Sequence, residues 1–444
     1  MTTKIARTGT TPTNTNKYTW SAWIKRNRLG TGESIVYNYY DGNNRGYIAF
    51  DSDDKLFFYD KTGSEQNNCY ATRRFRDINC WYHIHVKADS TLGSDRFVVH
   101  INGLQETITG TTIDQNDNLG FKTATGTNQH SIGTNADSTA NPFSGIISHV
   151  HYVDGLALPY TDFGSTDSTT GEWKINTSPT VSEYGANGYF ILKDGNSVTD
   201  QSGKGNNFTV TNGTLTKTED CPSNVFATLN KLTLAGSQYT LRYGNNSTYG
   251  NASSAWRYLT GTLGASSGKY YWEMKFDNTY GSDPRNILVG ILDFDQADQT
   301  ATNGKFSGHS RGYAIDLNDG KTMNNTTSRT SGATYSSQFS TGDILGVAMD
   351  LDNSKLYFAK NGTWQNSSDP TNGTNAAFTI TSGYTYTAAI SSYYNTDEVT
   401  FNFGNGYFGI SQVASAGTNA SGIGIFEYDV PTGYTALSTK GLNE

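Results

Sequence analysis

The sequence has little charge and few residues of several types. Among 444 residues there are 4 Met, 8 Pro and 3 Cys, and charged residues make up 16%, where soluble domains usually have about 25%. No run of 18 apolar residues occurs, so we expect no membrane-spanning helix and no membrane insertion. Residues 1–14 lack an apolar core, and the sequence therefore predicts no conventional secretory signal.

Positive charge is scarce as well. The formal net charge is -8 and the sequence pI is about 5.4. The densest basic run, RRFR at residues 73–76, is short. Proteins that bind polyanions need a basic patch that neutralises phosphates, so the composition argues against nucleic-acid binding.

Three cysteines do not make an even disulfide framework. They are Cys69, Cys80 and Cys221. A bond between Cys69 and Cys80 across a hairpin is geometrically possible. Free thiols in a protein that folds in a reducing cytoplasm are the preferred interpretation, because disulfides are rare in that compartment.

Residues suited to strands and tight turns dominate instead. There are 48 Gly and 29 Tyr, and Thr, Asn and Ser are dense throughout. Thr and aromatic side chains fit pleated surfaces, whereas Gly, Asn and Asp supply turn geometry. Apolar and polar residues alternate in short runs without a long helical pattern. We therefore predict an all-β protein.

The first group of predicted strands lies between residues 18 and 160. It includes YTWSAWIKR at 18–26, CWYHIHVKA at 80–88 and GIISHVHYVDGLAL at 145–158. Asn102 and Gly103 are a strong hairpin signal, because both tolerate positive φ. These motifs resemble the laminin-G-like, concanavalin A-type jelly roll. The resemblance implies two antiparallel sheets packed face to face.

A second group begins with KYYWEMKF at 269–276 and continues with ILVGIL at 287–292 and GYAIDL at 312–317. GDILGVAMDLDNSKLYFAKNGTW at 342–364 and VTFNFG at 399–404 follow. Their order and turn residues resemble the SPRY domain. The resemblance implies a second antiparallel β-sandwich, which binds partners through loops at one end and is not an enzyme.

The sequence thus predicts five segments. Residues 1–17 form an N-terminal arm, 18–160 the laminin-G-like jelly roll, and 161–238 a β-rich connector with a hairpin. Residues 239–410 form the SPRY-like β-sandwich, and 411–444 form a C-terminal tail that packs on that sandwich.

Further motifs stand between and after the two modules. They are GYFILKD at 188–194, CPSNVFATLN at 221–230 and PTGYTALSTKGL at 431–442. Together with the order of the modules, they resemble structural proteins of bacteriophages, notably marine ones. The resemblance implies a virion component, such as a tail, fibre or capsid-surface protein, made in the host cytoplasm.

Jelly rolls also host glycanases, which need two carboxylates about 5–10 Å apart at the sugar bond. No strand has a closely spaced acidic pattern such as E-x-D-x-x-E. Glu273 and Asp277 share one strand face but stand about 13 Å apart, and we interpret them as solvated strand charges. No nucleophile elbow, P-loop or dinucleotide fingerprint occurs, so the sequence predicts no enzyme and no cofactor.

Two histidine pairs are candidates for a metal site: His83 with His85, and His149 with His151. Each pair points to one face of its strand, and four imidazoles could meet if the strands were neighbours. The laminin-G-like resemblance implies instead that His83 is packed and hydrogen-bonded.

Structural calcium is possible at two oxygen-rich stretches of the sequence. Their aspartates are Asp51, Asp53, Asp54, Asp293 and Asp295. Neither stretch matches a 12-residue calcium loop with a closing Glu, and turn formation by Asp explains both.

Exposed aromatic residues are the better functional signal. Sugars stack their apolar C–H faces on Tyr or Trp, while polar side chains form hydrogen bonds around the ring. The candidate ligand-binding residues are Tyr39, Tyr40, Tyr280, Asp283, Arg285, Tyr393, Tyr394 and Asn395. The last six lie where the SPRY resemblance implies partner-binding loops. Alternatively, these tyrosines cover the rim of the core or pack on neighbouring subunits.

Three functional hypotheses stay open. The preferred one is a non-enzymatic virion protein, in many copies or as a homo-oligomer, that contacts host-surface glycans or proteins, or other virion proteins. In that case weak single sites add through avidity. The second is a free lectin or glycan-processing protein. The third is a purely architectural capsid-decoration protein without a ligand.

Overall fold

A computed structural model of the chain describes residues 2–78, 80–121, 129–193, 197–230, 239–250, 255–278, 286–297, 304–393 and 398–443. The chain divides into two compact units, Met1–Lys217 (unit 1) and Thr218–Glu444 (unit 2). Within the described ranges the regular elements are strands and short 3-10 turns, which confirms the predicted all-β class. None of the helical turns found there is long and apolar enough to cross a membrane.

Unit 1 contains two antiparallel sheets and a separate hairpin. Its strands are β1 Lys4–Thr8, β2 Lys17–Arg26, β3 Glu33–Asp41, β4 Asn44–Phe50, β5 Leu56–Thr62, β6 Glu65–Ala71, β7 Tyr82–Asp89, β8 Phe97–Ile101, β9 Leu104–Gln105, β10 Ile108–Gly110, β11 Gln129–Ile132, β12 Gly145–Asp154, β13 Gly164–Thr166, β14 Trp173–Ile175, β15 Tyr189–Ile191 and β16 Thr209–Asn212. An eight-stranded sheet has the order β10-β6-β5-β4-β3-β11-β1-β16, and a six-stranded sheet has the order β15-β12-β2-β7-β8-β9. The stretch predicted as a connector thus supplies β13 to β16, and the predicted arm supplies β1.

The two sheets enclose one core, because alternate side chains of each strand point inwards. Trp20 and Ile24 of β2 pack there with Val36 and Phe58 of the other sheet. The outward side chain of Trp23 is buried as well. Both faces of β2 are therefore covered.

The outer face of the six-stranded sheet is covered by residues 156–175, which we call the cover segment. It includes the 3-10 turn Tyr160–Asp162 and the hairpin of β13 and β14. Tyr160 stacks on His100 with 4.0 Å between ring centroids, and Trp173 stacks on His83 at 5.8 Å. Aromatic rings thus attach this polar, turn-rich stretch to the sheet.

The predicted hairpin at Asn102 and Gly103 joins β8 to β9. Both residues have positive φ, 49° and 77°. A Cβ atom at position 103 would lie 2.3 Å from the Trp173 ring. The turn conformation and the close approach of Trp173 both require glycine here.

Unit 2 is also formed by packed antiparallel sheets. Its strands are β17 Tyr239–Arg242, β18 Ser247–Gly250, β19 Arg257–Ala265, β20 Lys269–Asn278, β21 Ile287–Asp293, β22 Gly312–Asp316, β23 Thr322–Asn324, β24 Ile344–Asp350, β25 Lys355–Lys360, β26 Thr363–Trp364, β27 Phe378–Thr379, β28 Tyr386–Ser392, β29 Glu398–Asn402, β30 Tyr407–Phe408, β31 Ser411–Gln412 and β32 Thr435–Ala436. The 3-10 turns are Phe294–Gln296, Phe306–Gly308, Gln365–Ser367 and Gly441–Asn443. The larger sheet follows β17-β18-β29-β20-β24-β25-β26, with β27 on β25 and β32 on β20, and the smaller follows β19-β28-β21-β22-β23.

The last residues of unit 2 complete its larger sheet. Strand β32 pairs in parallel with β20, with Thr435 opposite Tyr270. The ring of Phe426 is buried and lies 5.0 Å from that of Tyr271. This stretch is therefore part of the sandwich and its core.

A buried ion-pair network joins several segments of unit 1. Arg26 is 0% exposed, and its Nη2 lies 3.3 Å from Glu33 Oε2 and 3.2 Å from Asp54 Oδ1. Its Nη1 donates to Phe75 O at 2.7 Å, and its guanidinium lies 4.0 Å from the Phe50 ring centroid. Arg26 thus connects β2 to the start of β3, to the loop before β5 and to the loop after β6.

We expect Arg26→Leu to lower the free energy of unfolding by about 3 kcal/mol or more, because two buried carboxylates then lose a compensating charge. The urea transition of the full chain measures this effect. Arg74→Ala removes an exposed ion pair with Asp53 and should lower it by less than about 1 kcal/mol. Equal effects of the two substitutions would contradict the assigned role of Arg26.

Candidate functional site

Three tyrosines form a row across the outer face of the eight-stranded sheet. Tyr37 of β3, Tyr47 of β4 and Tyr59 of β5 stand opposite one another in the strand register. Their rings stack with centroid separations of 4.8 Å and 4.7 Å. Their neighbours in sequence, such as Ile48 and Phe58, lie in the core, so this tyrosine row faces away from it.

Polar groups border the tyrosine row. The Arg45 guanidinium lies 5.4 Å from the Tyr59 ring centroid, and Tyr59 OH donates to Gln66 Oε1 at 3.1 Å. At the other end, the Tyr39 ring lies 6.3 Å from the Tyr37 ring and is tilted by 46°. The surface thus combines hydroxyl, guanidinium and amide groups on one sheet face.

Ring stacking determines which atoms of the row a ligand can reach. Both faces of the Tyr47 ring are covered, one by Tyr37 and the other by Tyr59. Tyr47 is half-buried, whereas Tyr37 and Tyr59 are 4% and 7% exposed, so the row offers ring edges and hydroxyl groups and no open ring face. Burial raises the pKa of Tyr37 to about 12, so its hydroxyl stays protonated at neutral pH and can donate as well as accept.

The two sequence candidates near this row differ in their positions. Tyr39 extends the row, whereas Tyr40 is the extra residue of a β-bulge before Asp41. Sequence reasoning missed Tyr47 and Tyr59. A signal was present, because three successive strands, ESIVYNYYD, NRGYIAF and LFFYDKT, each carry an outward Tyr next to a core residue.

The other candidates belong to unit 2, where the structure describes only one of them. Tyr280, Asp283, Arg285, Tyr394 and Asn395 lie outside the described residues. The ring of Tyr393 lies 5.7 Å from that of Trp256, and its backbone N–H donates to Asn286 O at 3.1 Å. Tyr393, just after β28, therefore belongs to an aromatic cluster with Trp256, which immediately precedes β19.

Two cations border Trp256. Lys305 Nζ lies 4.5 Å and Arg329 Cζ 5.6 Å from the indole ring. Arg329 donates to Asp316 Oδ1 and to Asn286 Oδ1, each at 2.6 Å, which fixes its position. Burial, and then the charge of Arg329, lower the pKa of Lys305. This Trp256 cluster combines an aromatic surface with positive charge.

The four histidine candidates do not converge on a metal. Among the described residues, no three His, Cys, Asp or Glu side chains are placed to hold one. His83 Nδ1 accepts from Trp173 Nε1 at 3.0 Å, so its Nε2–H donates to Ser21 Oγ at 2.8 Å. His151 Nδ1 lies 2.9 Å from Tyr184 OH. His83 is thus a packed, hydrogen-bonded residue, as the laminin-G-like resemblance implies.

The other member of each histidine pair is also engaged. His85 Nε2 donates to Leu158 O at 3.2 Å, and His149 Nδ1 lies 2.7 Å from Ser148 Oγ. Within each pair, the two histidines therefore form hydrogen bonds with different neighbours.

The first group of aspartates considered for calcium has protein partners. Asp54 Oδ2 lies 3.1 Å from Arg76 Nε, and Asp53 Oδ1 lies 3.4 Å from Arg74 Nη2. Asp51 Oδ1 accepts from Asp53 N–H at 2.9 Å. Arg73, the third arginine of the basic run, lies 2.7 Å from Glu106 Oε2, so each arginine at 73–76 is paired with a carboxylate.

The second aspartate pair stabilises a turn. Asp293 Oδ1 accepts from Asp295 N–H at 3.3 Å at the start of the Phe294–Gln296 turn. Asp293 Oδ2 also lies 2.6 Å from Arg311 Nε. Turn formation and ion pairing account for the Asp293 side chain, and Asp295 contributes its backbone N–H to the turn.

All three cysteines are free thiols. Burial raises the pKa of Cys69 to about 12 and that of Cys80 to about 11. Cys69 packs in the core of unit 1, with Cys80 against its edge. The disulfide considered between them is not formed.

Glu273 is buried, and its interpretation as a solvated strand charge is wrong. It is 0% exposed. Its carboxylate accepts from the N–H groups of Glu427 and Tyr428 at 2.9 Å each, from Tyr271 OH at 3.1 Å and from Asn402 Nδ2 at 3.2 Å. Glu273 thus fixes residues 427–428 to β20. Asp277, on the same strand, is exposed as expected, so the two carboxylates do not share a groove.

Burial raises the pKa of Glu273 from 4.5 to about 7, so the folded protein binds this proton more tightly than the unfolded chain does. The resulting stabilisation is complete below pH 4.5 and is lost as the pH rises through 7. We expect the unfolding free energy of the wild type relative to Glu273→Gln to fall by about 2 to 3 kcal/mol between pH 5 and pH 8.

Urea transitions measured across this pH range test the expectation. Asp295→Asn, an exposed change in the same unit, is the matched control and should leave the pH dependence unchanged. A difference between wild type and Glu273→Gln that stays constant with pH would show that Glu273 does not titrate there.

Two family models match parts of the chain. Residues 2–158 match the concanavalin A-like lectin/glucanases superfamily model, Laminin_G_3, and residues 269–406 match the SPRY domain model. The chain therefore contains a concanavalin A-like module followed by a SPRY domain, as the sequence motifs predict. Both are β-sandwich folds associated with binding. Among curated proteins, none matches the sequence significantly.

Solved structures resemble the parts of the chain in fold. The SPRY domain of human HERC1 is 16% identical with a TM-score of 0.30, covering 37% of this chain and 91% of that one. A Bacteroides ovatus protein described as a "putative carbohydrate binding protein" is 16% identical with a TM-score of 0.33, covering 49% and 61%. A heptameric SAP-like pentraxin from Limulus polyphemus is 16% identical with a TM-score of 0.27, covering 36% and 72%.

Proposed function

We propose that this chain is a non-enzymatic recognition protein of a bacteriophage virion that binds saccharides on the tyrosine row. The observation behind the proposal is the row itself: stacked Tyr37, Tyr47 and Tyr59 beside Arg45 and Gln66 on one outward sheet face. The order of motifs, which resembles phage structural proteins, supports the virion setting and, with it, tail, fibre or capsid-surface placement.

The chemistry of the row suits a neutral, polyhydroxylated ligand. A tyrosine hydroxyl both donates and accepts, an amide does the same through two atoms, and a guanidinium only donates. A sugar presents matching donors and acceptors at short intervals. Lipid binding would need open apolar faces, which the stacking of Tyr47 removes, and polyanion binding would need more than the charge of Arg45.

Binding is favoured over cleavage by the position of the acidic side chains. Hydrolysis of a glycosidic bond needs two carboxylates on either side of it. Glu273 is buried beneath residues 427–428, which donate to it. Asp51 accepts a hydrogen bond within a turn, and Asp53 and Asp54 form ion pairs with arginines. In a multi-copy assembly, weak contacts at many tyrosine rows would add through avidity.

The Trp256 cluster favours a second candidate function, recognition of a protein partner by unit 2. Lys305 and Arg329 flank the indole ring, and Tyr393 adds a second aromatic edge. An aromatic side chain next to a carboxylate would match this surface. A neighbouring virion protein or a host-surface protein could supply it, which also keeps the purely architectural role open.

We expect Tyr47→Phe to weaken glycan binding about 2- to 10-fold, because it removes one hydroxyl hydrogen bond and keeps the stacked ring. Arg45→Ala should weaken it further, since hydrogen bonds to charged groups are stronger. The measurement is a glycan array with the full chain displayed at high valency, followed by calorimetry on the best ligand.

Tyr243→Phe alters an exposed tyrosine of unit 2 and is the matched control, which should bind as the wild type does. Binding lost in Arg45→Ala with an unchanged urea transition would support the tyrosine row. Wild-type affinity in both unit 1 variants would reject it, and no binding to any glycan would favour the architectural role.

A further inference from the structure

Three histidines form a row beneath the cover segment. His151 of β12 stands opposite Ser21 of β2, Ser21 stands opposite His85 of β7, and His85 stands opposite His100 of β8. His85 and His151 are almost fully buried. This histidine row therefore crosses four neighbouring strands on the outer face of the six-stranded sheet, and His83 lies on the same face two residues from His85.

The cover segment rests on these imidazoles. Tyr160 stacks on His100 at 4.0 Å, and Phe163 lies 5.6 Å from His85 and 5.1 Å from His151. These distances join ring centroids. Trp173, further along the segment, stacks on His83 and donates a hydrogen bond to it. Every aromatic residue of the segment thus contacts a histidine.

Few backbone bonds secure the same segment. In the described part of unit 1, β13 and β14 pair only with each other. Thr19 Oγ1 donates to Leu156 O and accepts from Leu158 N–H, and Leu158 O accepts from His85 Nε2. The contact with the sheet therefore depends on rings and a few hydrogen bonds near residue 158.

The charged groups around the histidines do not compensate for added positive charge. Those that act on the histidine pKa values are other histidines, Lys87 and Lys193, all of which are basic. The hydrogen bond to Leu158 O favours the charged form of His85 but is a smaller effect than its burial. Tyr184 OH lies 2.9 Å from His151 Nδ1, and burial raises the pKa of Tyr184, so it adds no negative charge at neutral pH. Asp162, in the cover segment, contributes to none of these shifts.

We propose that the cover segment is released by acid, when the histidines beneath it become protonated, and that its release exposes the histidine-rich face of the sheet. A buried imidazolium next to lysines is unfavourable, whereas the same group is readily hydrated once the segment lifts. The cover segment thus acts as a lid whose closed state requires neutral histidines.

Proton linkage gives the direction and the size of the change in the opening equilibrium of the cover segment. Burial lowers the pKa of His83 to about 3 and that of His85 and His100 below the ordinary 6.5. The closed state is fully favoured above pH 6.5 and loses stability as the pH falls below it. A histidine whose protonation is fully suppressed in the closed state shifts the opening equilibrium about tenfold at pH 5.5 when it is freed. Release of His83 and His85 together gives a shift on the order of a hundredfold, and release of the half-buried His100 adds to it.

Hydrogen exchange of the full chain, corrected for intrinsic exchange rates, tests the proposal at pH 7.5 and pH 5.5. We expect protection in residues 156–175 to fall by on the order of a hundredfold or more, while strands β3 to β5 keep theirs. The double variant His85→Gln/His100→Gln retains a side-chain donor for Leu158 O and removes two titrating groups. It should reduce the change in protection between the two pH values by about tenfold or more.

His100→Gln alone changes a half-buried histidine and should reduce the change in protection measurably, which keeps the test decisive if the double variant does not fold. His309→Gln, in unit 2, is the matched control and should leave the effect intact. The proposal is overturned if protection in residues 156–175 does not depend on pH, if β3 to β5 lose protection together with them, or if the histidine variants respond as the wild type does.

Discussion

The ring contacts between the cover segment and the six-stranded sheet determine which surface unit 1 can present. A sheet in a sandwich turns one face to the core, and its other face is either solvated or covered. Tyr160 and Trp173 cover the outer face of one sheet. The tyrosine row lies on the outer face of the other sheet, so any ligand surface made by strands in unit 1 is confined to that side.

Each unit holds a fully buried ionisable side chain, and the two differ in how its charge is balanced. Arg26 lies between two carboxylates, so its network is nearly neutral and its contribution is mainly geometric. The described partners of Glu273 are backbone N–H groups, a hydroxyl and an amide. Dipoles stabilise a carboxylate less completely than a cation does, which explains why its proton affinity is raised. Both residues nevertheless join segments that are distant in sequence.

The sequence predicts the local features of this fold well and the long-range ones poorly. Strand positions and the turn at Asn102 and Gly103 follow from alternation and turn residues, which are local properties, and the two sandwich modules follow from motifs that resemble known families. The tyrosine row depends on strand register, and the burial of Glu273 depends on residues 427–428 returning to β20. In the cover segment, single aromatic residues stand among Ser, Thr and Asp, so the sequence indicates a β-rich connector at residues 161–175 but not its contact with the sheet. The surroundings of Tyr393 likewise depend on Trp256, which is far away in the chain.

The parallel pairing of β32 with β20 has a consequence for biosynthesis. Phe426 and Thr435 are synthesised after the longer strands of unit 2. Until they emerge from the ribosome, the nascent sheet lacks the contact of Phe426 with Tyr271, and an apolar strip is exposed to other chains. Unit 1, whose strands all precede residue 218, has no such delay. Because synthesis runs from the N-terminus, unit 1 can fold while translation continues. The larger sheet of unit 2 can be completed only after residue 436 has been synthesised.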